Sequence, residues 1–458
     1  MRCADIIRTG VAVPCQPWPR HLLDAAAWRA MAAALASDQT LDLLALWGDA
    51  AMVHALLREP ASGATLPVSV ATESGFYPTL SRARPAAAWF ERMIRDLWGH
   101  HAEDGRDSRP WLDHGAWALH APLSARPVAV AGQPESPEFA PPGDRQTQIA
   151  LGPVLSGFAE PAQLRLTVTG DRVARLEARL GYAHKGTLSL MRGKSPLAAA
   201  RFAARLSGDT TVAHSLAFAR AAEAASGAVP PPRAIALRII MAATERIAGH
   251  LSDLGAIAEP SALARLREAM ARAAGTAFGH RLMMDAVVPG GVGADMAAGG
   301  AEAIGTAVAR VTEAVPALRR AFAGLDGLSG MGVLPPDVAR ALAVADLAGD
   351  VAARVAARLD SVEHLAASLP GLLAALPAGP LRADLPPATG EGIGAAESAC
   401  GEVFHALRLE GGQIASAFAA DSGWRLWPAL EAAAPGIAVA DLPVLVASFG
   451  ARVSGMDL

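Results

Sequence analysis

Residues able to do chemistry are sparse in this chain. Three cysteines, Cys3, Cys15 and Cys400, are too few and too scattered for a disulfide framework or a four-thiolate metal site. No CxxC or HExxH spacing occurs, so neither an iron–sulfur cluster nor zinc is expected to be bound by this polypeptide, and the metal expectation is none. What remains is a set of histidines, carboxylates and arginines. His214 follows Thr210 by four residues and His250 follows Arg246 by four. Each pair shares a face if those segments are regular helices. Glu245, His280, Arg281, Asp285, Glu397 and Asp457 extend the set. Carboxylates and histidines in a dry cleft have shifted pKa values suited to relaying protons. The alternative is a scaffold of buried ion pairs holding helices in register, which perturbs pKa values just as well. The scaffold reading is preferred for Glu245, Arg246, His250, His280 and Asp285. For His214 and Glu397, the candidate catalytic residues, the two readings stand level.

The elements that must position these residues follow from periodicity. HLLDAAAWRAMAAALA has helical spacing; LDLLALWG, MVHALLRE and LPVSVATES read as strands. Pro85 opens a helix that Gly99 ends. On it Trp89, Met93 and Leu97 face a core, and Glu91 and Arg95 form an exposed i, i+4 pair. AQLRLTVT and RVARLEARL flank Gly170-Asp171 as a hairpin. Long helical patterns cover 186–206, 210–226, 232–257, 260–286, 297–324 and 341–368. A second hairpin turns at Gly411-Gly412. Gly290-Gly291-Val292-Gly293 lacks the third glycine and downstream acid of a dinucleotide loop and reads as a helix C-terminal turn.

Length and composition frame this. The chain has 458 residues, 52% apolar and 18% charged, with net charge −4. That allows two or three domains and argues against nucleic acid as a partner. No apolar run reaches a membrane span, and the start lacks a signal-peptide core. Residues 125–148, rich in Pro and small polar residues, read as a linker. The fold expected is α+β: a small α+β domain over 1–124, then a mainly helical domain over 149–458 with two hairpins.

Four stretches carry a resemblance. GYAHKGTLSLMRGKS (181–195), PPRAIALRIIMAATERIAGHLSDLGAI (231–257), GHRLMMDAVVPGGVG (279–293) and the C-terminal GEVFHALRLEGGQIASAFAADSGWRLWPALEAA with DLPVLVASFGARVSGMDL are similar to nickel–iron hydrogenase large subunits and the quinone-site subunit of respiratory complex I. YPTL and PAAAWFERMIRDLWG (77–99) resemble the small domain that the formate hydrogenlyase type fuses ahead of the large one.

That resemblance implies a nickel–iron site held by two CxxC pairs. Here the matching positions are Ser207 and Thr210, then Arg452 and Gly455. Nickel and low-spin iron need soft bridging thiolates. Hydroxyls are hard and stay protonated, Gly offers nothing, and Arg is a permanent cation without a lone pair. The family's arginine beside the iron corresponds to Cys400, expected as a structural filler. The complex I tyrosine corresponds to Gly208, and the quinone-contacting histidine would fall in GPVLSGFAEP (152–161), where there is none. Arg452 is expected to pair with Asp209 or Glu397 and fill the vacated space.

By resemblance the chain is a subunit of a membrane-associated, complex I-like oxidoreductase, peripheral on the cytoplasmic face of the membrane. Its partners would be an iron–sulfur small subunit, which carries the cluster, and membrane subunits. No cofactor is expected on this chain, with quinone as the candidate acceptor. Two functions stand: passing electrons to quinone or a similar acceptor, or a non-catalytic coupling or assembly role. An open pocket lined by His214 and Glu397 would favour the first; a cleft plugged by Arg452 would favour the second.

Overall fold

The computed structural model describes residues 2–38, 40–154, 160–258 and 261–458. The architecture is mixed α+β, with several small sheets.

The N-terminal part is built on a five-stranded sheet. In spatial order its strands are Val11–Val13, Arg20–Leu23, Ala64–Ala71, Met52–Glu59 and Asp42–Gly48. Neighbours run antiparallel except Arg20–Leu23 beside Ala64–Ala71. The three strands read from sequence are there. The helix of the first segment begins only at Ala25, because Asp24 caps it by accepting from the Ala27 N–H at 2.7 Å, and the preceding His21–Leu23 joins the sheet. Ala87–Trp98 ends at Gly99 in the left-handed conformation, as the C-terminal glycine requires.

One expectation for that helix fails. Glu91 is not exposed. It is buried, and its carboxylate accepts from the backbone N–H of Leu80 and Ser81 and from the Thr79 hydroxyl. Arg95 pairs instead with Asp96 at 2.9 Å. The helix is sealed on nearly every side, so an i, i+4 pattern that looks solvated from sequence serves here to tie a neighbouring turn.

Asp42–Gly48 is buried on both faces, which explains its continuous apolar run. The helix Ala87–Trp98 covers one side, where Gly48 lies against Trp98. Trp47 stacks on Phe418 of the C-terminal part, centroids 5.3 Å apart. Two arginine–glutamate forks fasten the same junction: Arg20 to Glu391, both bonds at 2.8 Å, and Arg58 to Glu402 at 2.6 and 3.0 Å.

The segment read as a linker is mostly exposed, but two parts of it are structured. Val128–Ala129 pairs with Leu119–His120. Phe139 lies between the guanidinium groups of Arg165 and Arg179. Thr147–Leu151 then adds a third strand to the hairpin Gln163–Thr169 and Arg172–Arg179. Of the GPVLSGFAEP stretch, 155–159 lie outside the described residues.

In the C-terminal part the helices Thr211–Ser226, Pro232–Ile257 and Gly300–Ala323 fall where the periodicity puts them. Three boundaries differ. The 186–206 segment is two short helices, Thr187–Met191 and Pro196–Ala203: Ser195 caps the second by accepting from the Ala198 N–H, and Pro196 takes its first position. The 260–286 segment stops at Phe278, where Gly279 takes positive φ. The 341–368 segment is Pro336–Ala341 followed by Val351–Ala374, restarted by Asp350 as N-cap. Gly290–Gly293 is not a helix C-terminal turn: Val287–Val288 and Gly291–Val292 form a small hairpin around Pro289-Gly290.

The second hairpin gains a third strand, giving Gly390–Ser398, Gly401–Glu410 and Gln413–Ala420. Gly390, Gly392 and Gly394 alternate along the first of these. A Cβ on any of them would run into the backbone carbonyls of Ala225, Ala221 and Ala217 respectively. A strand period of two meets a helix repeat near four, so bare backbone lets the helix Thr211–Ser226 lie directly on the sheet.

Candidate functional site

Three elements converge on His214. Its helix starts after the turn Gly208–Thr210, and that start is capped by Glu245 from the neighbouring helix. The Glu245 carboxyl accepts from the N–H of Val212 at 2.6 Å and of Ala213 at 3.0 Å. A helix N-terminus offers such orphan donors to any carboxylate in reach. Burial pushes the Glu245 carboxyl up to about 8, against the lowering effect of those two bonds.

His214 is wholly buried. Its Nε2 lies 3.0 Å from Asp421 Oδ2, and its Nδ1 lies 3.1 Å from His405 Nε2. His405 reaches it because Gly394, its cross-strand partner, lets the sheet approach the helix. Asp421 follows the last strand and also accepts from the Gly423 N–H at 2.7 Å. Burial works against charge on Asp421, yet the hydrogen bond and charge of His214 hold its carboxyl below the usual range. His405 is held neutral by burial and by His214 beside it. The result is a dry carboxylate–imidazole–imidazole chain.

A second network lies on the other side of the C-terminal turn. Arg452 Nε donates to Asp209 Oδ2 at 2.8 Å, and Nη2 donates to Asp253 Oδ1 at 2.5 Å. The other Asp253 oxygen is 2.9 Å from Arg358 Nη1. Arg358 Nη1 also donates to His250 Nδ1 at 3.3 Å. Asp253 raises the Arg452 guanidinium well above its ordinary value, while burial and the charges of Arg358 and Arg246 lower His250 to about 3. Arg246, His250 and Asp253 occupy one stripe of the helix Pro232–Ile257, at i, i+4 and i+7. Outside the bridge opens a cleft of about 650 Å³ lined by Glu160, Asp209, Asp253, Trp427, Val446 and Arg452.

The four positions flagged by resemblance therefore have new surroundings. The hydroxyls of Ser207 and Thr210 are buried and have no hydrogen-bond partner among the described residues. Arg452 makes the Asp209 contact anticipated from sequence. Its second partner is Asp253, not Glu397. Gly455 is packed against the Asp421 carboxyl. Cys400 is a buried filler whose thiol burial pushes up to about 12.

Other expected members stand apart. Glu397 is exposed, opposite Glu402 at the end of a strand, and it makes no hydrogen bond to His214. Its ESACG stretch is a strand end and tight turn, and it meets the second network through the Ala399 carbonyl, which accepts from Arg358 Nη1 at 3.2 Å. His280 and Asp285 are also exposed, so they hold no buried helix register. Asp285 forms a fork with Arg205, both bonds 2.7 Å, and His280 Nδ1 accepts from its own turn. Asp457 is buried, where it accepts from Gly181 and Ala183 N–H at 2.8 Å. Burial raises its carboxyl to about 6. His405, Asp421, Asp253 and Arg358 were not singled out in the sequence. His405 and Asp421 sit in or just after a strand, and no local spacing links them to a helix some 200 residues away. For Asp253 and Arg358 one signal was available: each is a charge on the apolar face of a helix.

Residues 20–128 match the family described as the respiratory-chain NADH dehydrogenase 30 kDa subunit. Hydrogenase-4 component G of Escherichia coli is 30% identical over 220 residues, 45% of this chain and 40% of that protein. Formate hydrogenlyase subunit 5 of the same organism is 30% identical over 201 residues, 42% of this chain and 35% of that protein. The carbon monoxide-induced hydrogenase of Rhodospirillum rubrum is 25% identical over 359 residues, 67% of this chain and 98% of that protein. The chain thus spans well under half the length of the first two.

Proposed function

The chain belongs to the hydrogenase-large-subunit and complex I-like superfamily, of the formate-hydrogenlyase type, and on that premise we propose that it is a non-catalytic coupling or assembly subunit of a membrane-associated complex. In this reading the place of a nickel–iron centre is taken by two buried polar networks. Its partners would be an iron–sulfur small subunit and membrane subunits, and it would sit peripherally on the inner face. No helix among the described residues is long and apolar enough to cross a membrane.

The observation that carries the reading is the double bridge of Arg452 to Asp209 and Asp253. Ser207, Thr210, Arg452 and Gly455 do not fit a soft-metal pair. They offer two hydroxyls, one cation and no side chain where four thiolates are needed. A guanidinium neutralised by two carboxylates fills the space instead, and His214, bonded to Asp421 and His405, faces no opening.

A second reading rests on the cleft outside that bridge. Its volume of about 650 Å³ is within the range of small-molecule sites, and Trp427, Pro443 and Val446 give it apolar walls. A quinone or similar acceptor would fit such a place, reduced by electrons from a partner's cluster.

The test is to purify the intact complex, measure its nickel, and assay hydrogen oxidation beside quinone reduction. Neither activity should depend on this chain, and nickel should be substoichiometric. Stoichiometric nickel would overturn the reading. Quinone turnover lost on Trp427→Ala, in a complex that still assembles, would replace it with the second.

A further inference from the structure

We propose that a cavity between residues 117–123 and the loop 184–189 binds a small, uncharged aromatic molecule through a hydroxyl or N–H donated to His184 Nε2. This site is separate from the Arg452 cleft and from the relay of His214.

The cavity measures about 340 Å³, within the range of small-ligand sites. Its walls are Leu97, Trp117, Leu119, Leu123 and Leu188, with His184 and Ser189 as the polar side chains. No charged side chain lines it, so an ionised ligand would lose its hydration without compensation. The Trp117 and His184 rings lie 4.7 Å apart, tilted by 31°, and offer an aromatic wall for a flat partner.

The imidazole is fixed in one tautomer. His184 Nδ1 is 2.6 Å from the Asp457 carbonyl oxygen, which can only accept, so Nδ1 carries the proton. That carbonyl is itself held still. The Asp457 carboxyl is bonded to Gly181 and Ala183, and the next carbonyl, Leu458, accepts from the Thr187 N–H. Burial lowers the imidazole pKa, so the ring stays neutral. The neighbouring Lys185 points elsewhere, donating to the carbonyls of Leu206 and Ser454. Nε2 thus keeps a lone pair and has no hydrogen-bond partner among the described residues, and His184 lines the cavity. Ser189, the other polar side chain of the lining, is exposed, so the orientation-fixed acceptor at this cavity is Nε2, and it favours a ligand that brings a donor.

Calorimetric titration of the full chain with 1-naphthol and with 1-methoxynaphthalene tests this. The two probes share a ring system and differ in the donor. One saturable site is expected, with 1-naphthol bound about tenfold more tightly, the worth of one hydrogen bond left unmade by the ether. His184→Phe keeps a ring and removes the acceptor, so it should bring the two affinities together. Ala118→Trp, at an exposed lining position, should fill the chamber and abolish both. It keeps the test open if the His184 variant melts early. Absence of saturable 1-naphthol binding, equal affinities in the unaltered protein, or binding unaffected by Ala118→Trp would each overturn the proposal.

Discussion

Asp421 fills the space that a side chain at position 455 would need. A Cβ built on Gly455 overlaps the Asp421 carboxyl group, and that carboxyl is the one that receives His214 Nε2 at 3.0 Å. Gly455 and the buried histidine chain are therefore one arrangement: the carboxylate reaches His214 because residue 455 has no side chain. Gly455→Ala should destabilise the protein by about 1–3 kcal/mol, the usual effect of forcing extra atoms into a packed site. In an Asp421→Ala background the same change should cost much less. A double-mutant cycle by urea unfolding measures the coupling; strict additivity would mean the overlap is relieved elsewhere.

Arg452 is the second case. Arg452→Met leaves Asp253, almost wholly buried, with one cation in place of two. Removing one partner from a buried pair typically costs about 3–5 kcal/mol, and the lower end is expected because Arg358 remains. Asp209→Ala, at the exposed end of the same bridge, should cost under about 1 kcal/mol. Chemical denaturation of both variants checks the order; equal losses would show that the bridge acts as a surface pair.

Glu245 gives a pH signature. Its carboxyl stands at about 8 in the folded chain against an ordinary 4.5. Between those values the folded state holds a proton that the unfolded chain has released. The protonated form's contribution is whole below pH 4.5 and is lost as pH rises through about 8. Stability should therefore fall across that window, with a slope of up to about 1.4 kcal/mol per pH unit from this group. Asp457 and Glu431, also raised by burial, slope the same way, so the informative quantity is the difference between the unaltered protein and Glu245→Gln. A difference that stays flat from pH 5 to 8 would contradict the protonated cap.

The thiols provide a check on the core. Cys3, Cys15 and Cys400 are all buried, and burial pushes each up to about 12. A maleimide at pH 7.5 should label none of them in the native protein and all three after denaturation, since the thiolate is the reacting form and it needs access. Rapid native labelling of Cys400 would argue against its burial.

Much of the fold was legible because it is written in local pattern. The strands of the small domain, the hairpin at Gly170-Asp171, the helix over 232–257 and the stop at Gly99 each follow from periodicity or from one residue's backbone preference. The misplaced boundaries are also local in origin: Pro196, Gly279 and Asp350 start or stop helices that apolar spacing alone runs together. Glu91 failed for a different reason, since nothing near it in sequence says that the turn at Thr79–Ser81 will close over the helix.

The sequence by itself determined that Ser207, Thr210, Arg452 and Gly455 carry no thiolate, because side-chain chemistry at a position does not depend on folding. It also led to the Arg452–Asp209 pair through complementary charge. Only the tertiary structure decided that Asp253 takes the other edge of the guanidinium, that Glu397 turns outward, and that His405 and Asp421 complete the site around His214. Those partners sit on elements about 200 residues from the ones they meet. His405 and Asp421 come to 3.1 and 3.0 Å from His214 because three alternate glycines let a helix rest on a sheet, a closeness set by packing between elements and invisible to spacing along the chain.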